Sequence, residues 1–153
     1  MGDTGSLLIG LVCAVLVLKF IEFHREAPAS SYALLSAPAI AIALLIYPLF
    51  DTLRAFTLRL IEGKSPFSAD RKHIHHMLLD LGFSHLQTTF ILAGFSITIL
   101  GMAVWLQHMG SFKLILLILG LCMLFATLLK FLLRTRLKVQ LKKSAELLSD
   151  QLL

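Results

Sequence analysis

Four apolar runs, at residues 5–23, 32–50, 88–107 and 112–133, decide what this 153-residue chain can fold into. Each is long enough to cross the hydrocarbon core of a bilayer as a helix, which takes roughly 20 residues. In hydrocarbon every backbone N–H and C=O needs a partner within the protein, so only helices and closed barrels cross it. Barrel strands alternate apolar and polar side chains, and these runs do not alternate. The expected fold class is therefore an all-α membrane protein: four transmembrane helices, with a cytoplasmic loop (51–87) carrying short helices between the second and third. Composition agrees, with 58% hydrophobic and 15% charged residues and a mean hydropathy of +0.86, against about 25% charged in soluble domains. Pro38 and Pro48 are expected to bend the second helix. The first run lacks the basic lead-in of a signal peptide and opens with Asp3, so it reads as a retained span.

Orientation follows from Lys and Arg, which concentrate in short cytoplasmic segments. Residues 51–87 hold Arg54, Arg59, Lys64, Arg71 and Lys72, and the stretch after the fourth run holds Arg134, Arg136, Lys138, Lys142 and Lys143. On the other side only Lys19, Arg25 and Lys113 lie near helix ends. Both termini and the loop are thus expected on the cytoplasmic face of a multi-pass membrane protein. Topology and anionic lipid account for the net charge of +5 without nucleic acid as a partner. Two regions are expected: a four-helix transmembrane part, 1–133, and a basic amphipathic cytoplasmic tail, 134–153, with Leu137, Leu141, Leu148 and Leu152 on one stripe. Cys13 and Cys122 fall inside apolar runs and read as buried thiols acting as small hydrophobes.

Polar chemistry gathers in two places. "DTLRAFTLRLIEG" (51–63) has the pattern of a helix leaving the bilayer or lying on it, ended by Gly63; "KSPFSADR" (64–71) is turn-like; Leu78 to Leu81 reads as another short helix, ended by Gly82. His73, His75 and His76 are then expected between two short helices at the membrane surface. The second place is the N-terminus, where Asp3 precedes the first span between Gly2 and Gly5. An Asp there caps the free N–H groups of the first turn; it is also a hard oxygen ligand suited to Mg²⁺, and the two roles are compatible. An even number of spans separates Asp3 from the loop, putting both on one face. Asp3, the hydroxyls of Thr4 and Ser6, the cations Lys64, Arg71 and Lys72 and the three imidazoles together suit a pyrophosphate with its divalent metal. As a zinc site the cluster is poor, because H-x-H-H on a helix brings His73 and His76 together and turns His75 away. His24, His85 and His108 are isolated in sequence and read as surface or interfacial residues.

"MGDTGSLLIG" followed at this distance by "GKSPFSADRKHIHHMLLDLGFS" resembles the C-terminal part of the polyprenyl-phosphate N-acetylhexosamine-1-phosphate transferases, in particular the branch that transfers GlcNAc 1-phosphate to undecaprenyl phosphate. The resemblance runs from Met1 to the end of the third span, with the remainder alike only in character. It implies a Mg²⁺-associated role for Asp3, Mn²⁺ being the alternative ion, and catalytic or nucleotide-sugar contact for His73, His75 and His76. Of these, His75 and His76 are the pair better shared with the wider family. Ser65, Pro66, Phe67, Asp70 and Arg71 match the segment leading into the histidines, which adds Ser65 to the expected substrate contacts. The implied reaction joins a UDP-N-acetylhexosamine to a polyprenyl phosphate at the bilayer and releases UMP, for cell-envelope polysaccharide synthesis. The resemblance also implies further spans and an Asp-Asp motif upstream. This chain is therefore expected to be a fragment, inactive alone, whose partner is the missing N-terminal half or a homodimer copy.

A different class competes with that reading: a small non-catalytic four-helix membrane protein that binds a partner or lipid through its amphipathic tail. A metal transporter is disfavoured, because apart from Ser36, Ser96 and Thr98 the runs lack the polar groups that a mid-membrane pathway needs.

Overall fold

The computed structural model describes residues 3–26, 33–63, 65 and 73–151, with side chains described for 4–26, 33–63, 65 and 73–139. Among the described residues all regular structure is helical: α1 (Asp3–Glu26), α2 (Ala37–Leu44), α3 (Ile46–Ile61), α4 (Ile74–Asp80), α5 (His85–Trp105), a 3-10 turn (Gln107–Met109) and α6 (Ser111–Gln151). Three helices are long and apolar enough to cross a membrane: Thr4–Glu26, His85–Trp105 and Ser111–Val139. A fourth crossing is present if α2 and α3, bent by 76° against each other, count as one span.

That bend sits at Leu45, inside the run expected as the second helix. Pro48 lies in the first turn of α3, where its missing N–H cannot reach the carbonyl of Leu44 and its ring crowds that group. Pro38 bends nothing. It lies in the first turn of α2, a position that leaves its lack of a donor without cost. The break also moves the boundary of the loop. Asp51 is a mid-helix residue of α3, not the start of a separate surface helix.

The third span begins at His85, three residues earlier than the apolar run. Ser84 and Gln87 form a reciprocal cap there: the Ser84 N–H donates to Gln87 Oε1 at 2.9 Å, and the Gln87 N–H donates to Ser84 Oγ at 3.3 Å. α6 continues unbroken through residue 134 to Gln151. Its 41 residues make about 60 Å of helix against a hydrocarbon core of about 30 Å.

The chain divides into two compact units, residues 1–46 with 95–118 and residues 47–94 with 119–153. In the first, α1 lies against α2. Ala39, Ala43, Ala103, Leu114 and Ile118 are completely buried there and Ile46 nearly so; small residues such as these alanines let helix backbones approach in a membrane. The polar ties of this unit cluster at the helix ends. Leu34 N–H donates to His24 Nδ1 at 3.2 Å, Leu35 N–H to Gln107 Oε1 at 3.1 Å, and the buried Ser36 hydroxyl to the Gln107 carbonyl at 2.6 Å. His24, expected to be isolated, is instead a connector that also packs edge-on against Phe20 and Phe23. In the second unit the buried set includes Phe50, Ala55, Ile74, Met77, Leu78, Leu92, Ala126 and Leu129. Cys122 is buried and Cys13 half-buried, both as free thiols.

Candidate active site

α4 is a helix of seven residues, too short to be stable by its own hydrogen bonds in water. Its place is set by burial of Ile74, Met77 and Leu78 on one side and by ties at its two ends. At the N-terminus, His73 is the capping residue with an extended backbone, φ −67° and ψ 147°, and its own side chain makes no capping bond. The cap comes from α3. Asp51 Oδ1 accepts from the Ile74 N–H at 2.9 Å, and Asp51 Oδ2 lies 3.1 Å from His73 Nδ1. Asp51 is 6% exposed, so both carboxylate oxygens are used where water hardly reaches.

At the C-terminus, Gly82 has φ +87°. Its N–H bonds the Leu79 carbonyl at 2.8 Å and the Phe83 N–H bonds the Leu78 carbonyl at 3.2 Å, the paired pattern that closes a helix on a left-handed residue. The Arg136 guanidinium of α6 covers this glycine so closely that a Cβ built on it would lie 2.8 Å from one nitrogen. A cation is thereby held at the C-terminal end of α4, the sign that the helix dipole favours.

Between these ties stand the imidazoles. His75 and His76 lie in the first turn of α4 and His73 just before it, so the histidines do not sit in a loop between helices as expected. The rings of His73 and His75 stack with centroids 5.9 Å apart and planes 19° apart, and those of His75 and His76 lie 4.0 Å apart at 37°. The expectation that His75 points away from the other two is thus corrected. It assumed that all three residues are helical, whereas the extended backbone at His73 brings that ring beside His75. The pKa of His75 is lowered, first by burial and then by the neighbouring His76, with Asp51 acting in the opposite sense. His85, expected to stand alone, is close enough to add to that lowering.

The other expected residues are distributed as follows. Asp3 opens α1 in the first unit, with its side chain outside the described residues; Thr4 and Ser6 follow it, exposed. The histidines belong to the second unit. Ser65 is exposed, and Lys64, Arg71 and Lys72 lie outside the described residues. Among the described residues no group of three His, Cys, Asp or Glu side chains is placed to hold a metal ion. Asp51 in particular has both oxygens engaged, so the described residues do not by themselves fit a Mg²⁺ or Mn²⁺ site.

Asp51 is the residue of this site that sequence reasoning missed. A signal was available: an ionisable residue directly after an apolar run is expensive to bury and so is expected to have a specific partner. What the sequence did not disclose is that the partner lies 22 residues away at the head of α4.

No protein-family model matches the chain, and no solved structure matches it. Curated relatives do. The chain is 36% identical over 95 residues to a decaprenyl-phosphate N-acetylglucosaminephosphotransferase of Mycolicibacterium smegmatis, covering 60% of this chain and 23% of the relative. It is 34% identical over 102 residues to an undecaprenyl-phosphate alpha-N-acetylglucosaminyl 1-phosphate transferase of Yersinia pestis, covering 67% and 26%. It is 37% identical over 87 residues to the protein of that name in Escherichia coli, covering 57% and 22%. The chain thus spans about a quarter of the length of the curated relatives it matches. Over about 60% of its own length it is homologous to decaprenyl- and undecaprenyl-phosphate GlcNAc-1-phosphate transferases, matching a partial, C-terminal region of them.

Proposed function

From that homology we propose that this chain forms part of an enzyme that transfers GlcNAc 1-phosphate from a UDP-sugar to a polyprenyl phosphate, releasing UMP. The observation that carries the reading is the array of His73, His75 and His76, held at the head of α4 by the buried Asp51 carboxylate. Stacked imidazoles on a braced short helix are pre-organised hydrogen-bonding groups, and phosphoryl transfer depends mainly on positioning and charge stabilisation. In this reading α2 and α3 make one broken span, so that four spans put both termini and α4 on the cytoplasmic face of a bacterial inner membrane. The Lys and Arg distribution supports that topology.

Asp3 is this chain's contribution to a Mg²⁺ requirement, Mg²⁺ supplying charge neutralisation at the pyrophosphate. One carboxylate is a thin shell for a hard divalent ion, so the remaining acids come from polypeptide corresponding to the other three quarters of the relatives. Lys64, Ser65, Arg71 and Lys72, with Thr4 and Ser6, are proposed to meet the phosphates and the sugar.

The test is a chimaera in which this chain replaces the matched quarter of a curated relative, purified and supplied with UDP-GlcNAc, undecaprenyl phosphate and Mg²⁺. UMP release is expected from the chimaera and not from this chain by itself. Asp3→Asn should abolish release, and His75→Ala or His76→Ala should cut it on the order of 100-fold, the lower range for a well-placed acid–base or orienting group. Near-normal release in all three variants would return the chain to the class of non-catalytic membrane proteins. Competition by another UDP-N-acetylhexosamine but not by UDP-GlcNAc would reassign the sugar.

A further inference from the structure

Asp51 sits where the tertiary structure decides the chemistry of the His73 imidazole. An ionised carboxylate only accepts hydrogen bonds. With Oδ2 3.1 Å from His73 Nδ1 and Oδ1 already accepting from the Ile74 N–H at 2.9 Å, the proton on this side of the ring belongs to Nδ1. We propose that Asp51 is a positioning residue that fixes neutral His73 in the Nδ1–H tautomer and leaves Nε2 as an acceptor for a donor group of the substrate.

Three features support this. The free neutral imidazole favours the opposite tautomer, so the Nδ1–H form needs a cause, and a hydrogen bond from Nδ1 to a carboxylate is such a cause. The carboxylate is 8% exposed at its side chain and the His73 ring 31%, so water competes little at Asp51 while the ring keeps an open side. Among the described residues Nε2 has no hydrogen-bond partner, and the ring's position is further limited by stacking on His75.

The consequence is a division of labour among the three histidines. An unprotonated Nε2 cannot hold a phosphate oxygen, which is itself an acceptor. It can accept from a hydroxyl or amide N–H, groups that the sugar or nucleoside part of a nucleotide sugar offers. His73 is thereby assigned to that part and not to the pyrophosphate. Which donor meets Nε2 rests on the transferase reading; the tautomer does not.

The test reads the tautomer directly, in the 153-residue chain labelled with ¹⁵N-histidine in detergent micelles, from two-bond ¹⁵N–¹H correlation spectra. The His73 signals are assigned by their loss in His73→Gln. Wild-type His73 is expected with its proton on Nδ1 and a bare Nε2. In Asp51→Asn the amide can still accept from the Ile74 N–H while its NH₂ faces His73, so the proton should move to Nε2 with the Ile74 amide still protected from exchange. Asp51→Glu, which keeps a carboxylate, should restore the wild-type pattern at least in part. A wild-type ring protonated at Nε2, whether neutral or charged, overturns the proposal, and so does an Nδ1–H tautomer that persists in Asp51→Asn. If Asp51→Asn does not fold, the wild-type spectrum still decides the first point and Asp51→Glu the second. Loss of UMP release in the chimaera with the Nδ1–H tautomer intact would count against the transferase reading and leave this assignment standing.

Discussion

A proton on His75 is opposed from several sides at once. Burial acts first, then the neighbouring His76, with His73 and His85 adding smaller repulsions and Asp51 pulling the other way; the net effect takes the ring below its ordinary value of 6.5. When the chain unfolds, the ring regains that ordinary value. Between the two values the unfolded chain holds the extra proton, so stability rises with pH. His75 therefore contributes stability that is complete above pH 6.5 and is lost as the pH falls through the lower, folded-state value. Thermal unfolding in detergent, followed on both sides of pH 6.5, should show wild type losing more stability on acidification than His75→Gln. Equal acid sensitivity in the two proteins would mean that the ring is solvated like a free one. At this scale the stacked rings matter because a neutral His75 is both donor and acceptor at physiological pH, whereas a charged one would repel its neighbours.

α4 shows how an element with little stability of its own is made rigid by what holds its ends. Seven residues cannot repay helix nucleation in water, and the cap from Asp51, the left-handed closure at Gly82 and the Arg136 guanidinium supply the difference. Gly82 and Gly63 offer a matched comparison, because both have positive φ, +87° and +68°. A Cβ at Gly63 would meet nothing within 4 Å, whereas one at Gly82 would meet Arg136 at 2.8 Å. Gly63→Ala should thus cost only the left-handed conformation, about 1 kcal/mol. Gly82→Ala should cost that and the displacement of Arg136, about 2 kcal/mol or more. The excess should shrink when Gly82→Ala is made in an Arg136→Ala background, a non-additivity expected only for residues in contact. Thermal unfolding of the four proteins in detergent checks this; strict additivity would place Arg136 away from the turn in solution.

At the scale of the whole molecule the large exposed side chains indicate the solvent. Leu7, Leu8, Leu11, Leu16 and Leu18 of α1 are each more than 60% exposed, as are Phe90, Ile97, Phe112 and Phe131. Water would not tolerate so much open apolar surface, but hydrocarbon favours it as much as a packed interior does. The topology is testable with single cysteines in a Cys13→Ala, Cys122→Ala background. With four spans, cysteines at Ser65 and Lys138 should react with an impermeant reagent from the cytoplasmic side and one at Met109, in the turn between α5 and α6, from the opposite side. Labelling of Ser65 and Met109 from the same side would mean that α5 does not cross. It would also remove the argument that Asp3 and the histidines share a face.

The amino-acid sequence by itself determined the solvent, the helical class and the location of most helices, because each of those depends on local quantities. The length of an apolar run sets whether a helix can cross, and a glycine after a helical stretch, as at Gly63 and Gly82, sets where it stops. The kinship with the polyprenyl-phosphate GlcNAc-1-phosphate transferases was likewise legible in two short motifs. The tertiary structure alone decided how the site is built. No local rule joins Asp51 to His73 and Ile74, since the bonds span 22 and 23 residues, and no helical wheel anticipates that the extended backbone at His73 stacks its ring on His75. The break at Leu45 was half legible, because Pro48 announced a bend but not its size. The capping box at Ser84 and Gln87 is present in the letters, whereas an apolar count alone starts the third span three residues later. Hydropathy is summed residue by residue and so can be read from a string. A hydrogen bond between distant residues exists only once the chain has closed the loop between them.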